Sequence, residues 1–323
     1  MTPPAHLGTM STPTWLARAS RRLTILSGSC VVLLLLLYWL AVQTEWGQRA
    51  GNAALSGRFN QPPQLGAGSL DLLETISIVS LAIVGGTLCL VGLVRGGWPL
   101  GIGVGVTILG ANVTTQVLKR LIFTRPHLLD EAGAAISHNS LPSGHTTVAM
   151  TIAVATMMIA PPRYRFRVTC VTGIYAALVG AATVSAGWHR PSDVIAATLV
   201  SVAWGAIVSA TLIGLRELTP VRAATPSRLA RWREERLLES MVISGGVLTV
   251  SLLTLTLLVL RRSWDDLATL QFTGAFITGI LAGIAATALT LASFGYALSR
   301  VDLAALSDRI IDLPGTWDDP QSS

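Results

Sequence analysis

The sequence predicts an all-α membrane protein, a polytopic bundle of about eight transmembrane helices. Of the 323 residues, 51% are hydrophobic and only 12% are charged, whereas roughly 25% are charged in an average soluble domain. Apolar runs of about 20 residues also recur along the chain, and that length crosses the hydrocarbon core of a bilayer as a helix. The predicted spans are residues 24–43, 71–94, 98–118, 146–160, 167–186, 191–215, 241–260 and 270–298.

The chain divides into five parts on this prediction. They are a flexible cytoplasmic N-terminus at 1–23, a six-helix membrane domain at 24–215, a basic cytoplasmic connector at 216–240, an additional two-helix hairpin at 241–298, and an acidic cytoplasmic tail at 299–323. Residues 44–69 are expected to be a polar connection, and residues 227–239 a short interfacial helix. In the last span Gly279 and Gly283 form a small-xxx-small pattern, a weak signal for close helix packing.

The basic residues indicate how the helices are oriented. With the N-terminus in the cytoplasm, 15 Lys and Arg residues fall on the inside and 8 on the outside, as the positive-inside rule expects. The loops that follow the third and fifth spans then share the extracytoplasmic face of a plasma membrane. Membrane topology thus explains the formal charge of +6, and no pattern typical of nucleic-acid binding competes with it. The three cysteines lie in apolar runs, which excludes a disulfide framework.

The end of the third span carries the first group of candidate residues. Asn112, Gln116 and Lys119 recur at helical spacing on one face, and polar groups at that depth are expected to face the bundle interior. Five residues separate Arg125 from Lys119. Two converging cations would bind an oxyanion such as phosphate. Alternatively, Lys119, Arg120 and Arg125 are interfacial side chains that extend to the bilayer surface.

The start of the fourth span carries the second group. Ser143 is placed as a helix cap, and Gly144 leaves its backbone N–H accessible at a helix N-terminus, which favours an anion. His145 falls in the first turn, where it can exchange a proton near neutral pH. Ordinary capping beside a chance histidine is the alternative interpretation.

His189 and Asp193 form the third group at the start of the sixth span. They lie four residues apart across Pro191, which suits a first helical turn. The aspartate could accept a hydrogen bond from one ring nitrogen and leave the other free as a nucleophile. Alternatively, Asp193 only complements the helix dipole. His127 and His138 have no such neighbours and are interpreted as plain loop residues.

In order and content, these three groups resemble the three-part signature of the type 2 phosphatidic acid phosphatase superfamily, over roughly residues 71–215. The resemblance implies that His189 attacks phosphorus to form a phosphohistidine, that Asp193 orients it, and that His145 protonates the leaving oxygen. The phosphoryl oxygens would be held by Lys119, Arg125, Ser143 and the backbone N–H of Gly144. The resemblance also implies that no metal and no cofactor take part.

The sequence departs from that signature at two points. Five residues separate Lys119 from Arg125, where the signature has six, and a loop tolerates one deletion. The third block of the signature carries Ser-Arg before the histidine, and Ala182 and Thr183 occupy those positions here. One phosphate-binding arginine is therefore missing from its place.

Two interpretations of Thr183 remain open. In the first, Arg190 or Arg120 supplies the missing charge, and Arg190 is favoured by its position next to His189. In the second, Thr183 marks a lowered or altered activity.

The sequence as a whole predicts a membrane lipid phosphatase. It would hydrolyse a phosphate monoester or diphosphate ester of a lipid at the extracytoplasmic face, with a phospholipid or a polyprenyl phosphate as substrate. Asp71 and Glu74, placed at the outer end of the second span, either line the same pocket or are interfacial charges. The alternative is a catalytically weakened or inactive membrane protein that binds or transports a phosphorylated lipid or anion.

Overall fold

The computed structural model of the protein describes residues 14–129, 138–217, 236, 243, 246, 269–299 and 301–306. Every regular element within these ranges is helical, as the composition predicts. The predicted connector helix at 227–239 and the seventh span at 241–260 lie outside the described residues apart from those isolated positions. Most of the acidic tail also lies outside them. Eight spans therefore stay a prediction.

Eight α-helices are described: α1 (Thr14–Val42), α2 (Glu45–Ser56), α3 (Pro63–Glu74), α4 (Ile78–Val117), α5 (Gly144–Ile159), α6 (Pro162–Ser185), α7 (Pro191–Glu217) and α8 (Thr269–Ala297). A 3-10 turn, Gly57–Asn60, joins α2 to α3, and a π turn, Leu118–Ile122, follows α4. Five segments are long and apolar enough to cross a membrane: Trp15–Val42, Ile78–Ile122, Pro162–Ser185, Pro191–Leu215 and Phe272–Ala297. Helix α5 is apolar but shorter.

Helix α4 is a hairpin of two apolar legs, which correspond to the second and third predicted spans. The chain turns at Gly96 (φ −135°, ψ 20°) and Gly97 (φ 65°, ψ −176°), and the second backbone conformation strongly favours glycine. A methyl group added to Gly92 would lie 3.2 Å from Cα of Gly101. These two residues would be about 13.5 Å apart along a straight helix, so the legs run antiparallel in close contact.

The predicted start of the second span at residue 71 is wrong. Ser77 caps the first leg through a capping box with Ser80, and α4 therefore begins at Ile78. Asp71 and Glu74 belong to the separate helix α3, where both are exposed. The expectation that they line the pocket from the end of the second span has no support in this arrangement.

Residues 44–69, expected to be a polar connection, contain two helices, α2 and the first part of α3. Thr44 caps α2 by accepting a hydrogen bond from the backbone N–H of Gly47 at 3.0 Å, and Pro63 occupies the first turn of α3. The buried positions of α2 are mostly small or polar, Ala53 and Ala54 among them. Such a surface lacks the bulky apolar stripe that identifies a helix in a sequence. Contacts with α8 and α6 hold the segment in place.

Helices α5 and α7 lie at the centre of the bundle. α7 packs against α1, α4, α5 and α8, and α5 packs against α4, α6 and α7. Their facing surfaces are fully buried, with Met150, Val154 and Met157 on α5 and Val202 and Ala206 on α7. This core fixes the starts of the two helices that carry the candidate histidines.

Helix α8 supports the start of α7 directly. A methyl group added to Gly279 would lie 2.5 Å from Cγ of Pro191, and one added to Gly283 would lie 3.2 Å from Cγ1 of Val194. The small-xxx-small pattern of the last span is thus used for close helix packing. Helix α8, predicted as part of an additional hairpin, therefore packs against the first turn of α7.

Arg165 joins the opposite end of the bundle. Its fully buried guanidinium donates hydrogen bonds to the carbonyl oxygens of Met157 (3.3 Å), Ala160 (3.1 Å), Leu298 (2.6 Å) and Val301 (2.9 Å). A cation is favourable at a helix C-terminus, where carbonyl groups lack helical partners. Arg165 therefore ties the ends of α5 and α8 together.

Candidate active site

The site is built around the turn that joins α6 to α7. Gly187 adopts φ +76° after α6 ends, and the backbone N–H groups of Trp188 and His189 donate to the carbonyl of Thr183 at 3.0 and 3.1 Å. Nδ1 of His189 then lies 3.1 Å from Oδ2 of Asp193 in the first turn of α7. Both side chains are buried. Because Nδ1 is engaged by the carboxylate, Nε2 is the ring nitrogen left for chemistry.

Two further donors fix the Asp193 carboxylate. Oδ2 accepts a hydrogen bond from Oγ of Ser140 at 2.6 Å and another from the backbone N–H of Arg190 at 3.0 Å. A buried carboxylate with such donors stays ionised and immobile. Asp193 therefore does more than complement the dipole of α7, since it also orients His189.

The start of α5 lies against the start of α7. The backbone N–H of Ser143 donates to the carbonyl oxygen of Asp193 at 3.0 Å, which joins the second predicted group to the third. The Ser143 side chain is fully buried and accepts hydrogen bonds from the backbone N–H (3.4 Å) and the hydroxyl (3.0 Å) of Thr146. It is thus the helix cap that the sequence predicts.

His145 lies on the open side of this junction. Its ring is tilted by 49° against the ring of Trp188, with 5.2 Å between centroids, and burial together with the neighbouring His189 and Lys119 lowers the pKa of its imidazole. The neighbouring Gly144 has no side chain, and a methyl group there would lie 3.5 Å from Nε2 of Gln116. The two histidines therefore belong to one site.

Lys119 reaches the site because Asn139 ties the π turn after α4 to the segment before α5. Nδ2 of Asn139 donates to the carbonyls of Lys119 (3.2 Å), Phe123 (3.0 Å) and Leu141 (3.2 Å). The Lys119 ammonium is partly buried and lies within reach of the Asp193 charge. Two turns earlier on α4, Nδ2 of Asn112 donates to Oγ1 of Thr151 on α5 at 3.4 Å, as expected for an inward polar face, whereas Gln116 of the same predicted face is exposed.

Arg125 and Arg190 meet at Asn52. Oδ1 of Asn52 accepts from Nε (3.1 Å) and Nη2 (3.0 Å) of Arg190, and from Nη2 of Arg125 at 3.5 Å. Nη1 of Arg190 also donates to Ser140 at 3.2 Å. Two guanidinium groups therefore contact the same side-chain oxygen, and paired arginines of this kind are suited to binding a phosphate.

The position that carries an arginine in the signature is occupied here by a buried threonine. Thr183 is fully buried, and its hydroxyl donates to the carbonyl of Gly180 at 2.7 Å. Of the two arginines that we considered as substitutes, Arg190 is buried beside Asp193, whereas Arg120 is exposed on the π turn. Of these two residues, Arg190 is therefore the one within the site, where it contacts Asn52 and Ser140.

Three residues of the site escaped the sequence analysis: Asn52, Arg58 and Ser140. Nη1 of Arg58 donates to the carbonyl of Gly187 at 3.4 Å, and its guanidinium lies 4.5 Å from the centre of the Phe59 ring. Burial lowers the pKa of the Arg58 guanidinium from its ordinary value, but an arginine remains charged. Asn52 and Arg58 lie within residues 44–69, which were predicted to be a polar connection. None of the three residues belongs to a recognisable sequence motif.

His127 and His138 are exposed in the loop after α4, as expected. Within the described ranges, no three His, Cys, Asp or Glu side chains cluster as metal ligands.

The fold and site together define a helical membrane protein with a buried histidine–carboxylate pair beside converging cations. Residues 100–215, from the second leg of α4 through α7, match the family described as the PAP2 superfamily. This match confirms the resemblance predicted from the three motifs, and the superfamily generally comprises phosphatases. Helices α1 to α3 and α8 lie outside the match. Searches of curated proteins and of solved structures gave no match.

Proposed function

We propose that the protein hydrolyses a phosphate monoester or diphosphate ester of a lipid at the membrane surface, with His189 as the nucleophile. The observation that carries this proposal is the 3.1 Å contact of Nδ1 of His189 with Oδ2 of Asp193. It favours the tautomer in which Nδ1 carries the proton and Nε2 carries the lone pair. The superfamily match over residues 100–215 supports phosphatase chemistry at this pair.

In the first step Nε2 of His189 attacks the phosphorus. The bond from phosphorus to Nε2 forms while the bond from phosphorus to the lipid oxygen breaks, and protonated His145 gives its proton to that oxygen. The products are a phosphohistidine and the lipid alcohol, or the lipid monophosphate when the substrate is a diphosphate. Such a proton transfer contributes about 10²–10⁴-fold to a rate.

In the second step a water molecule attacks the phosphohistidine. His145, now neutral, takes a proton from the water, and the bond from phosphorus to Nε2 breaks. Inorganic phosphate leaves, and both histidines return to their starting protonation states. Lys119, Arg125, Arg190, Ser143 and the Gly144 N–H supply the phosphoryl-binding groups, because phosphoryl transfer depends mainly on positioning and on charge stabilisation.

A lipid substrate is supported by where the site lies. The histidines sit at the starts of α5 and α7 and next to the end of α4, and all three helices are apolar. A lipid headgroup can enter such a site while its chains stay in the bilayer. The arginine distribution supports a plasma membrane location with both termini in the cytoplasm and the site on the extracytoplasmic face.

A binding or transport protein is the second candidate, and the observation in its favour is the closed position of Thr183. A panel assay separates the two functions. Purified protein in detergent is given phosphatidic acid, phosphatidylglycerol phosphate, polyprenyl phosphate and polyprenyl diphosphate with a chelator present, and phosphate release is measured. Release from one substrate that is lost in His189→Ala supports the phosphatase, and binding without release from any member supports the second candidate.

A further inference from the structure

The turn between α2 and α3, which lies outside the superfamily match, is fixed to the bundle on both sides of Arg58. Before it, a methyl group at Gly57 would lie 2.0 Å from the carbonyl oxygen of Phe272, so the turn rests on α8. After it, Nδ2 of Asn60 donates to Oγ1 of Thr273 at 3.0 Å. Arg58 is therefore presented by a rigid turn whose position α8 determines.

A second anchor joins this turn to the end of α6. Nε2 of Gln61 donates to the carbonyl of Ser185 at 2.9 Å, and Oγ of Ser185 donates to Oε1 of Gln61 at 2.6 Å. This reciprocal pair lies four residues before His189 in the chain. It holds the turn against the segment that leads into the nucleophile.

The guanidinium of Arg58 lies directly on that segment. A methyl group at Gly187 would lie 2.1 Å from Nη1 of Arg58, so only glycine leaves room for the cation. The φ of +76° at Gly187 independently favours glycine. Arg58 thus contacts the backbone two residues before His189 and next to Trp188, whose ring covers His145.

The charge of Arg58 has only neutral partners in the part of the chain that the structure describes. These are the Gly187 carbonyl, at 3.4 Å, and the Phe59 ring. A contact of that length is at the weak end of hydrogen bonding, and a guanidinium has five N–H donors. Its partial burial also makes an anionic partner more favourable than it would be in water.

We propose that Arg58 binds the phosphoryl oxygens of the group that reacts at His189, and so supplies from α2–α3 the cation that position 183 lacks. The hydroxyl of Thr183 donates a hydrogen bond to the carbonyl of Gly180. The carbonyl of Thr183 accepts hydrogen bonds from the backbone N–H groups of Trp188 and His189. Arg58 lies over the residue immediately before these two. The proposal rests on the proposed function, since the anion it binds is the phosphoryl group of the substrate.

Kinetics and anion binding test this role with matched variants of the full-length protein in detergent. Arg58→Ala and Arg58→Lys are compared with Arg49→Ala, which removes an exposed arginine of α2 that pairs with Glu45. For each, kcat and KM for a lipid phosphate are measured. The thermal stabilisation given by inorganic phosphate and by orthovanadate is measured alongside.

The expected result is a fall in kcat/KM of at least tenfold for Arg58→Ala, with a similar weakening of phosphate and vanadate binding. Arg58→Lys should keep part of both because it keeps the charge but not the fork. Arg49→Ala should stay within twofold of the parent. Adding Thr183→Arg to Arg58→Ala should recover activity if the two positions serve the same phosphoryl group.

The proposal is overturned if Arg58→Ala folds and keeps both kcat/KM and anion binding within twofold of the parent while His189→Ala is inactive. If the parent releases no phosphate from any lipid, the proposed function fails, and the binding measurement still decides on Arg58. Loss of anion binding only in the Arg58 variants would then support the site without the hydrolysis. A Thr183→Arg double variant that does not fold leaves the decision with Arg58→Lys.

Discussion

Oδ2 of Asp193 accepts hydrogen bonds at once from the ring of His189, at 3.1 Å, and from the hydroxyl of Ser140, at 2.6 Å. The second contact comes from the segment that leads into α5, so the carboxylate joins the starts of α5 and α7 as well as orienting the histidine. A backbone hydrogen bond from the N–H of Ser143 to the carbonyl of Asp193, at 3.0 Å, also joins the starts of α5 and α7. The site is therefore held rigidly by Asp193 from both sides.

Asp193→Asn should lower kcat on the order of 10⁴-fold, as the same change does in a well-studied histidine–aspartate pair. An asparagine can present an N–H to Nδ1, which favours the tautomer with the proton on Nε2 and removes the nucleophile. Rapid-quench measurement of the phosphohistidine should show the loss in the first step. Ser201→Ala is the control, because its buried hydroxyl donates to Ala197 two turns further along α7. A decrease in kcat of less than tenfold in Asp193→Asn would contradict the assigned role.

His145→Gln should slow the hydrolysis of an alkyl phosphate by about 10²–10⁴-fold, since the leaving oxygen then departs without a proton. A nitrophenyl ester, whose leaving group needs no proton, should lose far less in its first step. The alkaline limb of the kcat/KM profile against pH, where His145 loses its proton, should disappear in the variant.

A control variant and a comparison of two substrates test whether His145 acts as the acid. His127→Gln, which changes an exposed histidine, should behave as the parent with both substrates. Equal losses for the alkyl and nitrophenyl esters in His145→Gln would mean that His145 positions the substrate and does not act as the acid.

The sequence was sufficient for those parts of the site that depend on local signals. Ser143 and Asp193 occupy helix starts that capping and proline rules identify, and spacing alone placed His189 beside Asp193. Asn52 and Arg58 could not be found in the same way. Asn52 lies on α2, which buries mostly small and polar residues, and Arg58 lies on the turn Gly57–Asn60 that follows it. Both elements are held by α8, more than 200 residues further along the chain. Tertiary contacts of that kind leave no periodic pattern in the sequence.

Asn52 offers a test of how the two site arginines are arranged. Asn52→Ala removes the oxygen that Arg125 and Arg190 share, and KM should rise about 5- to 150-fold because truncating one partner of a charged hydrogen bond costs about 1–3 kcal/mol, with each 1.4 kcal/mol worth tenfold. Asn52→Asp keeps the oxygen but adds a negative charge to the phosphate site. It should therefore weaken inhibition by inorganic phosphate more than Asn52→Ala does.

The order of the two Asn52 variants is the informative result. Gln64→Ala, at an exposed position of α3, should leave KM and phosphate inhibition unchanged. Tighter phosphate binding in Asn52→Asp than in the parent would show that the arginines at Asn52 do not face the substrate phosphate.

Gly279 tests whether α8, outside the superfamily match, supports the active site. A methyl group there would already lie 2.5 Å from Cγ of Pro191 and 3.5 Å from Cβ of Ala54, and Gly279→Leu should separate α8 from the first turn of α7 and from α2. Overpacking of this kind costs about 1–3 kcal/mol, so the thermal unfolding temperature in detergent should fall. Activity should fall as well at temperatures where the variant is folded, since His189, Asp193 and Asn52 all depend on this junction.

Gly28→Ala, on α1 where no atom lies within 4 Å of the added methyl, should change neither quantity appreciably. A Gly279→Leu variant with lowered stability but parental kcat/KM would show that α8 holds the bundle together without positioning the site.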